Sequence, residues 1–298
     1  MDATADEGKA DDGNVLRWHL LDRKRAELAI AQAFGLLQGK NIKCFLIKGW
    51  VSAQFYPYDR PRSFGDIDIA VAPEDFEKAV RLIDEEDAHR LGIDLHRSVR
   101  HLDSLSFDDL YRRSKVVLIE GVEVRVPCSE DHLRIVAVHW LTDGGEFQER
   151  LWDIHYAVAN RPGDFDWDKC LNAVDKTRRS WVVISIGLAH KYLGLKIEGL
   201  PIAGEARDVP EWITKCVESA WNSDVRLRPL HVIWRDPSML LKQIGKRIPP
   251  NPIQASIDMN APFDDSSRLY YQIGSVFKRI LPSVNRIIPT LFRRGGRA

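Results

Sequence analysis

Residues 62–71 read Arg62-Ser63-Phe64-Gly65-Asp66-Ile67-Asp68-Ile69-Ala70-Val71. Two aspartates stand at i and i+2 among the apolar residues Phe64, Ile67, Ile69 and Val71, an alternation that predicts a strand. Side chains two apart leave the same face of a strand. Asp66 and Asp68 are therefore expected to point together while the isoleucines enter a core. Carboxylates placed so close repel one another unless a cation sits between them. Hard cations such as Mg2+ are held by one or two carboxylates plus substrate phosphates. Asp-x-Asp pairs also occur at solvated strand ends, so the neighbouring residues decide between the two readings.

Upstream, the apolar run Ile42 to Ile47 predicts a first strand, and Lys48-Gly49 follows it. A glycine there permits a tight turn and close backbone approach to a phosphate. Val51 to Phe55 reads as a short helix. Tyr56 to Pro61 reads as a loop, because its two prolines and the residues before them resist helix. Its tyrosines are candidates for stacking on a base or for capping the core. Arg60 and Arg62 are candidates to face a phosphate or to be solvated.

Downstream, Pro73 to Asp87 predicts a helix with Pro73 near its first position and Glu74 and Asp75 in its first turn. Gly92-Ile93-Asp94-Leu95-His96 then reads as another strand. It brings a third carboxylate, Asp94, to a neighbour of the Asp68 strand. Such an acidic triad suits two-metal phosphoryl transfer. His96 shares the face of Asp94, placed to hydrogen-bond a metal-bound carboxylate or a phosphate, or to be a partly buried structural histidine. Arg97, Arg100 and His101 extend a positive rim. Glu123, in Val122 to Val126, is a rival third carboxylate.

Taken together, LIKG at residues 46–49, FYPYDRPRSFGDIDIAV at 55–71 and GIDLH at 92–96 resemble the uncharacterised nucleotidyltransferase family 5 of the DNA polymerase beta-like nucleotidyltransferases. The carrying residues are Lys48-Gly49, Tyr56-Pro57, Arg62, Asp66-Ile67-Asp68 and Asp94-Leu95-His96. A weaker likeness continues through His132, His139, Asp153 and the helix around Leu188, over roughly residues 25–205. The resemblance implies a Mg2+- or Mn2+-dependent transferase with Asp66, Asp68 and Asp94 as metal-binding and catalytic residues. It implies Lys48, Gly49, Arg62, Ser63 and His96 around the donor phosphates. The donor would be a nucleoside triphosphate or a nucleotide-sugar, and the acceptor a peptide, protein or small molecule bearing a hydroxyl or phosphate. Related enzymes encoded beside modified-peptide clusters imply a second reading, glycosyl transfer to a phosphorylated peptide of the lasso-peptide kind. A non-catalytic nucleotide-binding or toxin–antitoxin component is a third. The usual Gly-Ser or Gly-Gly of the superfamily is Lys48-Gly49 here.

Lysine plus arginine and aspartate plus glutamate are both 43, a balance that speaks against bulk nucleic-acid binding. The hydrophobic fraction of 44% supports a sizeable core. Cys44, Cys128, Cys170 and Cys216 form no Cys-x-x-Cys, which argues against structural zinc and fits a reducing cytoplasm. There is no basic-then-apolar leader and no apolar run long enough to span a bilayer.

The expected class is α+β: a small mixed sheet with flanking helices, then a mostly helical C-terminal half. The expected division is a disordered tail at 1–14, a catalytic α/β domain at 15–127, a helical domain at 128–265 and a basic amphipathic tail at 266–298. Val116 to Ile119 and Val122 to Val126, with Glu120-Gly121 between them, predict a hairpin on the sheet's edge with Glu123 and Arg125 facing outward. After Pro127 the pattern is helical, with Ser129 to His132 as a capping segment. Asp153 is a candidate partner for a histidine. Asn251-Pro252 and Ala261-Pro262 predict turns. From Ser266 on there are seven basic residues and no acid, a composition suited to a membrane surface, an acidic peptide or a nucleic acid.

Overall fold

The computed structural model describes residues 7–99, 105–223, 236–264 and 266–279. Arg100, His101 and residues 280–298 of the basic tail lie outside the described residues. The chain divides into two compact units, Met1–Val136 with Asp153–Val174, and Ala137–Trp152 with Asp175–Ala298.

In the first unit, helix α1 runs Glu7–Gly39 and strand β1 Cys44–Leu46. The helix reaches back beyond Val15 into the acidic stretch expected as tail. Alanine, glutamate and lysine there are good helix formers. Helix α2 (Gly49–Ala53) leads to a loop and then to strand β2 (Ile67–Val71). Helix α3 (Phe76–Glu85) and a 3-10 turn (Ala88–Leu91) lead to strand β3 (Ile93–Arg97). Helix α3 starts later than Pro73 predicts, with Asp75 at its N-cap. The Asp75 carboxylate accepts instead from the Lys43 amide at 3.1 Å, tying the helix start to the residue before β1.

The sheet order is β1-β2-β3, antiparallel between β1 and β2 and parallel between β2 and β3. This is the small mixed sheet that the sequence predicts. Every residue of β2 is buried, as a central strand covered on both faces must be. Its period-two pattern sorts two cores. Ile67, Ile69 and Val71 join Cys44 and Leu46 under Ile30, Phe34 and Leu37 of α1 and Leu82 of α3. Ala70 joins Phe45, Phe107, Leu110 and Ile135 on the other side. Asp68 belongs to this second face, beyond the end of its apolar cover.

Helix α4 (Phe107–Arg113) precedes strands β4 (Lys115–Ile119) and β5 (Val122–Val126). Glu120 and Gly121 both have positive φ, at 50° and 80°, the geometry of a two-residue hairpin turn. The hairpin is a separate two-stranded sheet, not an extension of the first one. Its buried Ile119, Val124 and Val126 reach the common core by packing rather than by ladder bonds. Glu123 is exposed as predicted, whereas Arg125 is half-buried, with its guanidinium carbon 4.4 Å from the Tyr111 ring centre.

Helices α5 (Ser129–Thr142), α6 (Leu151–Ala159) and α7 (Trp167–Leu171) follow, and the division between the units falls inside α5. Asp166 caps α7, accepting from the Lys169 amide at 3.0 Å. The second unit is helical: α8 (Lys176–Leu193), α9 (Ala203–Arg207), α10 (Glu211–Trp221), α11 (Pro237–Arg247), α12 (Pro252–Asp258) and a helix, α13, over 269–279. Gly187 of α8 lies so close to α9 that a Cβ would stand 2.1 Å from the Ala206 carbonyl oxygen. Asn251-Pro252 marks a helix start rather than a turn. Asn251 accepts from the Ile253 amide at 2.9 Å, and Pro252 occupies the first helical position, where its missing N–H is harmless.

Candidate active site

Parallel pairing sets Asp68 opposite Asp94 and Ala70 opposite His96. Register partners in a parallel pair share a face, so Asp68, Asp94 and His96 converge without any long-range search. His96 Nε2 lies 2.7 Å from Asp68 Oδ1 and 3.2 Å from Asp94 Oδ2. One ligand atom from each of the three lies within 4.8 Å of the others. Asp68 is 6% exposed, and Asp94 is exposed.

Lys48 completes the cluster. It follows β1, whose last turn is fixed by the Ile47 amide donating to the Asp68 carbonyl at 2.9 Å. Its Nζ donates to Asp68 Oδ1 at 2.7 Å and stands 3.3 Å from His96 Nε2. Its backbone has φ 54° and ψ −128°, a region that glycine favours and a lysine enters only under strain. Local sequence preference therefore works against this conformation, and the β1–α2 junction imposes it. Burial of Asp68 pushes its carboxyl upward, but the His96 hydrogen bond and the Lys48 charge outweigh that and hold it below the usual carboxylate range. The site is thus an ionised buried carboxylate with a second carboxylate, an imidazole and an ammonium around it.

Asp66 is not among the three mutually close ligand groups; it lies in a bend one residue before β2 and is exposed. The described cluster contains Asp94 and not Glu123. Gly49 is pressed by Phe64, whose Cβ would lie 3.3 Å from any added Cβ. The tight approach at this glycine is to a phenyl ring. Ser63 is exposed, and its Oγ lies 2.8 Å from His19 Nδ1.

Arg62 is engaged by Asp153. Its Nε donates to Asp153 Oδ1 at 2.6 Å and its Nη2 to Asp153 Oδ2 at 2.8 Å, the forked geometry in which arginine binds a carboxylate most tightly. Tyr56 Oη also donates to Asp153 Oδ1, at 2.7 Å. Burial opposes the Arg62 charge, and the hydrogen bond and charge of Asp153 outweigh it and hold the guanidinium above its ordinary value. Burial, reinforced by Asp153, likewise raises the Tyr56 phenol. Asp153 therefore hydrogen-bonds an arginine and a tyrosine, and toward a histidine it acts through its charge, which opposes the effect of burial on His132. The sequence signal for this partnership was the pair of acidic and basic residues with no register between them, which periodicity cannot join.

Close by, Tyr56, Tyr58, Arg62, Ser63 and Phe64 face His19 and Arg23 of α1 across a cleft of about 150 Å³. His132, on α5, is stacked on Phe55 with ring centres 5.1 Å apart, and burial pushes its imidazole down to about 4.

No curated protein and no solved structure matches the chain. The profile of an uncharacterised nucleotidyltransferase family matches residues 18–194, from α1 to the glycine that ends α8. That is more than half of the sequence, and the chain belongs to this family.

Proposed function

We propose that this member of the uncharacterised nucleotidyltransferase family is a divalent-metal-dependent transferase. Its donor is a nucleoside triphosphate or another nucleotide-activated compound, and its acceptor a hydroxyl or phosphate group. The observation that carries the reading is the convergence of Asp68, Asp94 and His96 beside Lys48.

The donor set fits a small divalent cation. Two carboxylates suit Mg2+ and Mn2+ alike, and the imidazole nitrogen favours Mn2+. Asp68 and Asp94 would hold the ion, with His96 as a third ligand or as the group that orients both carboxylates. Bound there, the ion would neutralise donor phosphates and acidify an acceptor hydroxyl.

The chain's own groups do the rest. Asp68 is already ionised and fixed in a central strand, so it needs no reorganisation to accept a cation. Lys48 can leave the Asp68 oxygen for a donor phosphate, exchanging one anion for another. Exposed Asp94 is positioned to accept the acceptor's proton. Asp66, exposed beside β2, is assigned a supporting charge when donor is present. Arg62 is assigned to hold the 56–64 loop through Asp153 rather than to bind phosphate, because both of its outer donor edges are occupied.

The test is a screen of nucleoside triphosphates and nucleotide-sugars with Mg2+ or Mn2+ across hydroxyl-bearing and phosphorylated acceptors, with products detected by mass. A nucleotidyl or glycosyl adduct that disappears in Asp68→Ala/Asp94→Ala supports the proposal and names the transferred group. Metal-dependent nucleotide binding with no product would favour a binding protein instead.

A further inference from the structure

The cleft of about 150 Å³ lies between residues 19–23 of α1 and the loop that joins α2 to β2. A void of that size has room for one benzene-sized ring. Phe64 lines the cleft and also packs on Gly49, the residue after Lys48. The cleft therefore adjoins the residue whose ammonium sits on Asp68. Two bridges hold its walls together. His19 Nδ1 lies 2.8 Å from Ser63 Oγ, and Arg23 Nη2 donates to Gln54 Oε1 at 3.2 Å. Tyr56 is fixed by its hydroxyl on Asp153 and by its ring, 4.6 Å from that of Tyr156. The cleft is thus preformed, as small-molecule sites usually are. Tyr58 on the loop side and Leu20 on the helix side are left uncovered, 73% and 50% exposed.

The lining selects the chemistry of the occupant. Tyr56, Tyr58 and Phe64 offer aromatic faces, on which a planar ring stacks. The rim offers hydrogen-bonding groups of both kinds. The Asp22 carboxylate accepts, the Arg23 guanidinium donates, and the Ser63 hydroxyl does either. A plain hydrocarbon ring would leave all of these unused. Arg23 and Arg62 already carry carboxylate partners, Glu27 and Asp153, so the rim suits a neutral polar ring rather than a phosphate. A pyrimidine base has that character, with N–H donors beside carbonyl acceptors on one edge. The second ring of a purine would exceed the room available. We propose that this cleft binds the pyrimidine base of the donor nucleotide, with Tyr58 on its face and Asp22 and Arg23 on its edge, and so selects uridine or cytidine nucleotides over purine ones. The assignment rests on the transferase reading above, in which Lys48 and the Asp68 site take the donor's phosphates.

The test measures binding of UMP, CMP, AMP and GMP to the full chain by nuclear magnetic resonance without metal, and of the corresponding triphosphates with Mn2+ by calorimetry. The expected result is that pyrimidine nucleotides bind about tenfold more tightly than purine nucleotides in both series. Tyr58→Ala, at an exposed position, should weaken UMP binding about tenfold. Asp22→Ala should lessen the preference for pyrimidines, and both variants should unfold at the temperature of the unaltered chain. Equal affinity for the four monophosphates, or a pyrimidine preference untouched by both substitutions, would overturn the proposal. Equal metal-dependent binding of all four triphosphates would also overturn it, while leaving the transferase reading in place. UMP binding that Tyr58→Ala weakens, with no metal-dependent binding of any triphosphate, would support the base pocket and remove the transferase reading instead.

Discussion

Asp68 and Asp94 are direct register partners in the parallel pair β2–β3, and His96 Nε2 bridges them at 2.7 Å and 3.2 Å. One ladder therefore positions all three groups. A buried strand cannot shift by one residue without turning Ile67 and Ile69 out of the core, so the site inherits the rigidity of the fold.

Lys48 is the only cation the structure places on Asp68 among the described side chains besides His96. Lys48→Met leaves Asp68 with one fewer hydrogen bond to its charge, which should destabilise the metal-free protein by about 1.5–3 kcal/mol. A metal then replaces more of what was lost. The rise in Tm on adding Mn2+ should be larger in Lys48→Met than in the unaltered protein. An equal or smaller rise, measured by scanning calorimetry, would contradict a shared site for the ammonium and the ion.

Arg62→Ala leaves the Asp153 carboxylate buried with Tyr56 as its remaining partner. Removing one member of a buried pair destabilises by about 3–5 kcal/mol, and Arg62→Lys should recover little of this because an ammonium cannot reproduce the fork. Denaturant unfolding of Arg62→Ala, Asp153→Asn and the double variant reads the coupling. If the two single effects simply add, Arg62 is not held by Asp153 in the way described here.

His132 is buried and neutral, with its imidazole held at about 4 against an ordinary value of 6.5. A depressed folded value means that the unfolded chain binds the extra proton first. The stability this contributes is complete above 6.5 and is lost as pH falls from there through about 4. A shift of that size corresponds to about 3 kcal/mol. His132→Leu should flatten the stability-versus-pH curve across that window, as read from urea midpoints. An unchanged slope would assign the acid sensitivity to other groups.

Gly187 faces the Ala206 carbonyl across α8 and α9 at a distance no Cβ can occupy. Gly187→Ala should therefore force the helices apart and lower stability by about 1–3 kcal/mol. Thermal unfolding indistinguishable from the unaltered protein would show that the two helices separate freely.

Much of the fold was legible because its signals are local. The alternation at Ile67 to Val71, the apolar run before Lys48 and the Glu120-Gly121 turn each name an element from a handful of neighbouring residues. Asp94 and His96 were legible for the same reason, since two residues apart on a strand fixes a shared face. For Asp66 the rule has less to work with, because the strand begins at Ile67, one residue after it. The hairpin's separation from the main sheet was also hidden, since a hydrophobic strand looks the same whether it is joined by ladder bonds or by packing. The Arg62–Asp153 pair lies 91 residues apart in sequence, and nothing periodic connects a loop arginine to a helix aspartate at that separation.

The central claim is that Asp68 and Asp94 hold one divalent ion. Titration of Mn2+ into the protein with a nucleoside triphosphate present, followed by electron paramagnetic resonance of the free ion, tests it without requiring the acceptor. The account predicts Mn2+ uptake by the unaltered protein beyond that of nucleotide alone, and its loss in a folded Asp68→Asn/Asp94→Asn variant. Undiminished uptake by that variant, or none by the unaltered protein, would contradict it.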